Sequence, residues 1–410
     1  MKTVAIVGGG FCGTVLAAHL LGRSEDPIRV CLFDRSGVFG AGIAYGTDEP
    51  HHFLNVPASK MSAFEDQPNH LLEWLSSQDI EPRDGFLPRR IYRRYLQDLL
   101  EQPPRNPNSE LRLHAEAVVA LDEGARLRTS SERFYWPDEV VLATGYLADT
   151  QFDAQPPFDP ALWPSRVAHA IVIGSGLTAL DAAATILARY PNARVTLLSR
   201  QGRISEPFTA APPYTVSGQP PKTVRKIVRW LRNEIERAES WTAVFDAMRP
   251  RWDDLWRALP DEERRRFLRH FRPIFDRHRH RIPPGQAAAL APFRASGQLS
   301  ICRAEAVSAT PSEVILRDGA TLDADLVVDA SGFRCDWNRS GDALTSQLLA
   351  SGQVRPGSLG MGISADASGR VGDHLYALGP PLRGLRWETT AVPELRRQVR
   401  EICSAILEGT

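Results

Sequence analysis

The stretch Val4-Ala5-Ile6-Val7-Gly8-Gly9-Gly10-Phe11-Cys12-Gly13 carries the strongest architectural signal in the chain. A short apolar run, a glycine turn and a further apolar stretch to Leu21 read as strand, turn and helix. A second apolar run, Ile28 to Phe33, ends at Asp34 and completes a βαβ unit. Gly8, Gly10 and Gly13 stand in GxGxxG spacing. The first glycine permits the tight turn, the second lets the backbone approach a pyrophosphate, and the third lets the helix pack close to its strand. The helix start at Phe11 and Cys12 then offers free N–H groups and a partial positive charge to phosphate. Asp34, with Arg35 beside it, ends the second strand, where a carboxylate can accept hydrogen bonds from both ribose hydroxyls.

The same logic recurs at Gly174-Ser175-Gly176-Leu177-Thr178-Ala179, with Ala179 in the third position, after the apolar run Ala168 to Ile173. Here the following strand, Arg194 to Leu198, ends in Ser199-Arg200, with Arg203 nearby. An acid at that point would repel a 2′-phosphate, whereas a hydroxyl and a planar guanidinium bind one, so NADPH is expected rather than NADH. The competing reading is that Arg200 and Arg203 are solvated surface charges. With a second dinucleotide turn downstream, the N-terminal turn is assigned to FAD. The expected fold class is α/β, with two Rossmann-type dinucleotide-binding domains: a glutathione-reductase-like FAD domain and an NADPH domain. The FAD domain is expected to comprise 1–155 and 325–410, and the NADPH domain 165–324. A helical insertion over about 215–290 is read from Arg, Trp and Glu at helical spacing. Within it, Trp230, Trp241, Trp252 and Trp256 are expected to pack a core rather than cage a ligand. Strands are expected over 111–121, 125–130, 138–143, 299–302, 313–316, 325–329 and 375–378, helices near 69–77 and 89–101, and a closing helix from about 391.

The 410 residues carry a formal net charge of zero, which argues against a nucleic-acid binder. The five cysteines, Cys12, Cys31, Cys302, Cys335 and Cys403, are scattered without metal-ligand or CxxC spacing. No metal is expected, and unpaired cysteines suit a reducing cytoplasm. Met1 to Val7 runs straight into a strand, so no signal peptide is expected, and no apolar stretch is long enough for a membrane span.

Both turns, with the exits Ala143-Thr144-Gly145-Tyr146 and Asp329-Ala330-Ser331-Gly332, resemble the two-dinucleotide-binding flavoproteins. More specific strings are Gly40-Ala41-Gly42-Ile43-Ala44-Tyr45-Gly46, Leu54-Asn55-Val56-Pro57-Ala58 and Phe86-Leu87-Pro88-Arg89-Arg90. To these add His278-Arg279-His280-Arg281-Ile282-Pro283-Pro284 and Trp387-Glu388-Thr389-Thr390-Ala391-Val392-Pro393-Glu394. Over nearly the whole chain they look like the bacterial FAD/NAD(P)-binding family, which is similar to flavin-dependent amino-acid N-hydroxylases, aspartate N-monooxygenases among them.

The resemblance implies an FAD-dependent monooxygenase that uses NADPH and O2 to N-hydroxylate a small amine or amino acid through a flavin C4a-hydroperoxide. It implies that Lys60 holds a substrate carboxylate or the nicotinamide cofactor and that the Asn55 loop passes near the flavin ring; these two are the catalytic candidates. Arg89, Arg90, Arg279 and His280 are candidates for holding an anionic substrate, with His278 beside them; the cluster at 278–280 suits the NADPH phosphate as well, and all of these charges read equally as a solvated surface. Thr144 and Gly145 leave the FAD domain beside its turn. Gly379, Pro380 and the Glu388-Thr389-Thr390 turn are expected to return to the flavin. Glu388 reads equally as a first-turn cap, and Asn55 as a loop-capping amide. The fingerprint FxGxxxHxxx(Y/F) is absent between the two turns, which argues against Baeyer–Villiger enzymes. Two alternatives stay open: a flavin oxidase, dehydrogenase or reductase without oxygen insertion, and a non-catalytic nucleotide or redox sensor. Substrate identity and oligomeric state are not legible.

Overall fold

The structure is a computed structural model that describes residues 1–146, 151–333 and 335–408. It opens with β1 (Lys2–Val7), α1 (Phe11–Arg23), β2 (Ile28–Phe33), α2 (His70–Ser77), α3 (Arg89–Glu101), β3 (Glu110–His114) and β4 (Glu139–Leu142). There follow β5 (His169–Ile173), α4 (Leu177–Arg189) and β6 (Arg194–Ser199). A helical stretch comes next: α5 (Val224–Arg237), α6 (Trp241–Met248), α7 (Trp252–Ala258), α8 (Asp261–His270), α9 (Arg272–Arg279) and α10 (Pro284–Ala295). The chain closes through β7 (Leu299–Arg303), β8 (Leu326–Asp329), α11 (Ala343–Ala350), β9 (Arg370–Gly372), β10 (Leu375–Ala377) and α12 (Val392–Glu408).

Two sheets organise these elements. The first runs β9-β10-β4-β1-β2-β3 and is parallel except for β9. The second runs β7-β6-β5-β8 and is parallel throughout. Parallel strands are covered on both faces, which is why they read as continuous apolar runs rather than alternating ones. Val4, Ala5 and Ile6, and Ala170, Ile171 and Val172, are all buried. In each sheet the glycine turn leaves the carboxyl end of an inner strand, β1 or β5, with neighbours on both sides, where open α/β sheets bind ligands. Helices α3 and α12 pack on α1 and cover the first sheet, joining Leu96, Val399 and Ile402 to Leu16 and Leu20.

Three expectations change. The strand expected over 111–121 is two strands: β3 joins the first sheet, whereas Val118–Leu121 joins a separate antiparallel sheet with Leu127–Thr129 and Phe134–Tyr135. The strand at 325–329, expected to open the returning FAD segment, pairs with β5 from Leu326↔Ala170 to Asp329↔Ile173 and so completes the second sheet. Its four apolar or end residues are all buried there, a burial that only the neighbouring parallel strand and its helices supply. Helix α10, whose Pro284 stands at a first-turn position suited to proline, carries the helical stretch past its expected end near 290 to Ala295.

The helices α5 to α9 gather an apolar cluster of Val244, Met248, Trp252, Trp256 and Phe275, to which the C-terminal segment adds Trp387. Trp256 donates from Nε1 to the Gly384 carbonyl at 3.1 Å. Among the described residues no helix is long and apolar enough to cross a membrane.

Candidate functional site

The two glycine turns share one construction. Gly8 has φ 112° and Gly174 has φ 129°. A Cβ on Gly8 would run into the Ala143 carbonyl, and one on Gly174 into the Ala330 carbonyl. Gly13 likewise lies against the Gly8 carbonyl, so helix and strand approach as closely as the spacing implied. Gly10 and Gly176 cap α1 and α4 with no side-chain cap, leaving the first N–H groups of each helix turned outward. Among the described residues, and apart from each glycine's chain neighbours, no heavy atom lies within 4 Å of a Cβ built on Gly176, Gly145 or Gly332.

The turns differ in what ties them to the next strand. Asp34 accepts from the Gly9 N–H through Oδ2 at 2.8 Å and from Ser36 through Oδ1. In the second unit, Ser175 Oγ donates to Ser199 Oγ at 2.9 Å. The exposed side chains of Arg200 and Arg203 follow.

Both turns open into a single cavity of about 1620 Å³. Pockets for one small ligand typically measure about 300–1,000 Å³. Phe11, Cys12, Asp34, Arg35, Asn55, Thr144 and Gly145 line it on the first side, and Thr178, Ser199, Arg200 and Arg203 on the second. Pro380, Thr389 and Thr390 close it from the C-terminal segment. Thr144 Oγ1 is buried with no hydrogen-bond partner among the described residues. Burial pushes the Cys12 thiol up to about 12, so it stays protonated. The two glycine cradles, the outward helix N–H groups and the partnerless Thr144 hydroxyl fit the binding of two dinucleotides.

Several expected site residues take other places. Lys60 ends a 3-10 turn, is exposed and does not line the cavity. Arg90 is also exposed and outside it. Arg89 does line the cavity, but its guanidinium is bound to Asp181 Oδ2 at 2.5 Å, which leaves little charge for a substrate. Arg279 reaches the cavity while forming a two-point pair with Glu388, at 2.9 and 3.2 Å. Burial alone would lower the Arg279 pKa and raise that of Glu388; their mutual attraction outweighs it and shifts both the other way. Glu388, expected at the flavin, does not line the cavity: it is 3% exposed and its carboxylate faces Arg279. His280 lines the wall with its pKa lowered by burial, a neutral imidazole. His278 points to the Ile274 carbonyl and the edge of Trp241, outside the cavity. Gly379, Gly13 and Ala179 are packing positions rather than lining ones; a Cβ on Gly379 would meet Cys12 Sγ at 2.8 Å.

Other lining residues escaped the sequence reading. Tyr146 and Phe333 stack across the cavity wall, with centroids 5.1 Å apart and planes at 12°. Each stands one residue beyond a glycine exit, Ala-Thr-Gly or Ala-Ser-Gly, so the parallel between the two strings was the available signal. Behind them Arg383 lies 4.0 Å from the Trp387 ring centroid and donates to the Thr389 hydroxyl at 3.4 Å. Asp253 accepts from the backbone N–H groups of Trp387 and Glu388, at 3.0 and 2.8 Å, and fixes the turn that presents Thr389. Asp253 stands 134 positions from Trp387, and a pair so distant leaves no local pattern.

Residues 5–147 match a family model described as FAD-NAD(P)-binding. No curated protein matches the chain by sequence. Among solved structures, the chain is similar to the ornithine N-hydroxylase of Kutzneria sp. 744, at 15% identity and TM-score 0.63, over 100% of this chain and 99% of that one. It is similar to the cadaverine monooxygenase of Erwinia amylovora at 14% identity and TM-score 0.64, over 100% and 94%. It is also similar to the bacillithiol disulfide reductase of Staphylococcus aureus at 14% identity and TM-score 0.59, over 100% of both chains. The chain therefore has the α/β fold of the two-dinucleotide-binding flavoproteins, with an FAD-NAD(P)-binding match over its first unit.

Proposed function

We propose that this chain is an FAD-dependent monooxygenase that takes electrons from NADPH and N-hydroxylates a small amine or amino acid. The observation that carries the reading is the single cavity shared by both glycine turns, which lets two bound dinucleotides meet without leaving the protein. FAD is assigned to the first turn, with Gly8, Gly10, Phe11, Cys12, Asp34, Arg35, Thr144 and Gly145 along it. Asn55, Thr389 and Thr390 line the same cavity and are assigned to the flavin side. NADPH is assigned to Gly174, Gly176 and Thr178, with Arg200 and Arg203 for the 2′-phosphate. Together the two cofactors supply electrons from NADPH to O2, so that one oxygen atom reaches the substrate nitrogen and the other leaves as water.

The protein's own part is binding, orientation and exclusion of water. Tyr146, whose phenol burial keeps protonated, and neutral His280 give the inner wall polar but uncharged edges. Arg383, Asp253 and the Arg279–Glu388 pair hold the Thr389-Thr390 turn against the cavity. The Kutzneria structure contains reduced FAD, NADP+ and L-ornithine, and the Erwinia structure contains FAD; the shared fold supports the assignment.

The disulfide reductase relative favours a second reading, a flavin reductase without oxygen insertion. None of the five cysteines is paired, and only Cys12 lines the cavity. The two readings part in one assay: NADPH and O2 consumption by the FAD-loaded protein against a panel of amines and amino acids, with peroxide measured alongside. Substrate-dependent consumption without matching peroxide supports the monooxygenase. Consumption that always ends in peroxide, or that needs a disulfide instead of an amine, rejects it.

A further inference from the structure

Asp181 lies on α4, the helix whose first residues, Leu177 and Thr178, line the cavity beside the second glycine turn. Its side chain is 1% exposed, yet it is a carboxylate. It accepts from Arg89 Nη2 at 2.5 Å and from Gln286 Nε2 at 2.6 Å. Arg89 begins α3 in the first unit, and Gln286 sits on α10. Arg89 also donates to the carbonyls of Phe53 and Ala44 at 3.4 Å, and its guanidinium lies 5.4 Å from the Phe158 ring centroid. Fully buried His52, from the first unit, places Nε2 at 3.2 Å from the Asp181 carbonyl and 2.9 Å from Thr185 Oγ1. Its Nδ1 faces Thr47 Oγ1 at 2.8 Å. Because the Asp181 carbonyl can only accept, the proton belongs on Nε2 and the Thr47 hydroxyl donates to Nδ1.

The two dinucleotide-binding units are thus pinned at a junction in which the carboxylate, the guanidinium and the imidazole are all engaged. Apolar surfaces slide with little loss, but these hydrogen bonds are directional, and a shift of an ångström would break several at once. The junction also forms part of the cavity wall, through Arg89 and Phe158. We infer that Arg89, His52, Asp181 and Gln286 are positioning residues, a buried polar rivet that fixes the second dinucleotide turn relative to the first. The inference rests on the two-cofactor reading, for which the separation of the turns sets how well NADPH can reduce the flavin.

The experiment combines Arg89→Met with the milder Arg89→Lys and Asp181→Asn. In FAD-loaded Arg89→Met, the limiting rate of flavin reduction at saturating NADPH falls by about tenfold or more, since small misplacements carry large rate penalties. The NADPH Kd moves by less than about threefold, and dithionite bleaches the flavin at the wild-type rate. Arg89→Lys recovers much of the loss, because the cation remains. Independently, chymotrypsin cleaves after Phe158 faster in Arg89→Met than in wild type. A limiting rate within about twofold of wild type overturns the inference. If wild-type flavin is reduced by neither NADPH nor NADH, the functional reading fails, and cleavage after Phe158 alone decides the rivet: unchanged cleavage overturns it. If Arg89→Met does not fold, the same comparisons on Asp181→Asn decide the matter.

Discussion

A methyl group on Gly174 would collide with the Ala330 carbonyl, and φ 129° is closed to an alanine in any case. Gly174→Ala therefore distorts the second turn without touching the first. On the two-cofactor reading, the variant purifies with FAD while its KM for NADPH rises by about tenfold or more, a loss of binding read by steady-state titration. Equal loss of FAD and NADPH affinity would show that the two turns are not separate sites. Glu388 makes a different kind of prediction. Glu388→Gln leaves the 8%-exposed Arg279 side chain with only Glu394, 3.8 Å away, as a carboxylate partner. Breaking one side of a buried pair costs about 3–5 kcal/mol, whereas replacing both partners with apolar groups is often close to neutral. Urea unfolding should thus show Glu388→Gln as the less stable variant and Arg279→Met/Glu388→Leu as closer to wild type. The reverse order would mean that the pair is solvated in solution. Neither Glu388 nor Arg89 was legible as half of an ion pair, because their partners stand 109 and 92 positions away. What the sequence displays at those positions is only a charge.

Local elements were far easier to read than their partners. The strand–turn–helix units at both glycine turns follow from apolar runs and glycine spacing, and they lie where the sequence places them. Sheet membership did not follow. An apolar run at 326–329 is the same pattern whichever sheet it joins, and only tertiary pairing puts it beside β5. The run at 111–121 likewise hides a change of sheet after His114. Of the four tryptophans expected as core in the helical stretch, Trp252 and Trp256 are buried there and Trp230 packs against them, whereas Trp241 is half-buried against Phe245 and His278 outside that cluster. The docking of the cluster on Trp387 was not legible. Trp387 lies between Trp256 and Phe267, with centroids at 4.9 and 5.0 Å, and beneath the Arg383 guanidinium. Trp387→Ala removes a buried ring that joins the helices to the cavity-closing turn, at a cost of about 3–5 kcal/mol. Trp136→Ala, at a side chain 68% exposed, stays within about 0.5 kcal/mol. Chemical unfolding of both variants checks the contrast, and similar losses would place Trp387 outside the core.

Acid and alkali act on the molecule through groups that burial keeps uncharged. His19, His52, His70, His114 and His280 all titrate below the ordinary 6.5, in each case chiefly because burial penalises the imidazolium. Arg23 adds repulsion at His19, which falls to about 4. The unfolded chain takes up these protons near pH 6.5 while the native chain still refuses them, so stability declines as the pH drops below that value. His19 alone accounts for about 3 kcal/mol of this loss by the time the pH reaches its folded value. The thiols work in the opposite direction. Burial raises Cys12, Cys31, Cys335 and Cys403 above 9.0, and Cys12 and Cys403 reach about 12. Here the unfolded chain releases protons that the native chain keeps, so their contribution is whole below pH 9 and lost as the pH rises toward 12. The two slopes leave a plateau between about pH 6.5 and 9. Urea midpoints taken from pH 4.5 to 10 should be flat across that plateau and fall on both sides. His19→Phe, which keeps a ring against Phe64, should make the acid side less steep without moving the alkaline one. A wild-type midpoint unchanged between pH 7.5 and pH 5 would mean that these imidazoles are hydrated in solution and titrate normally.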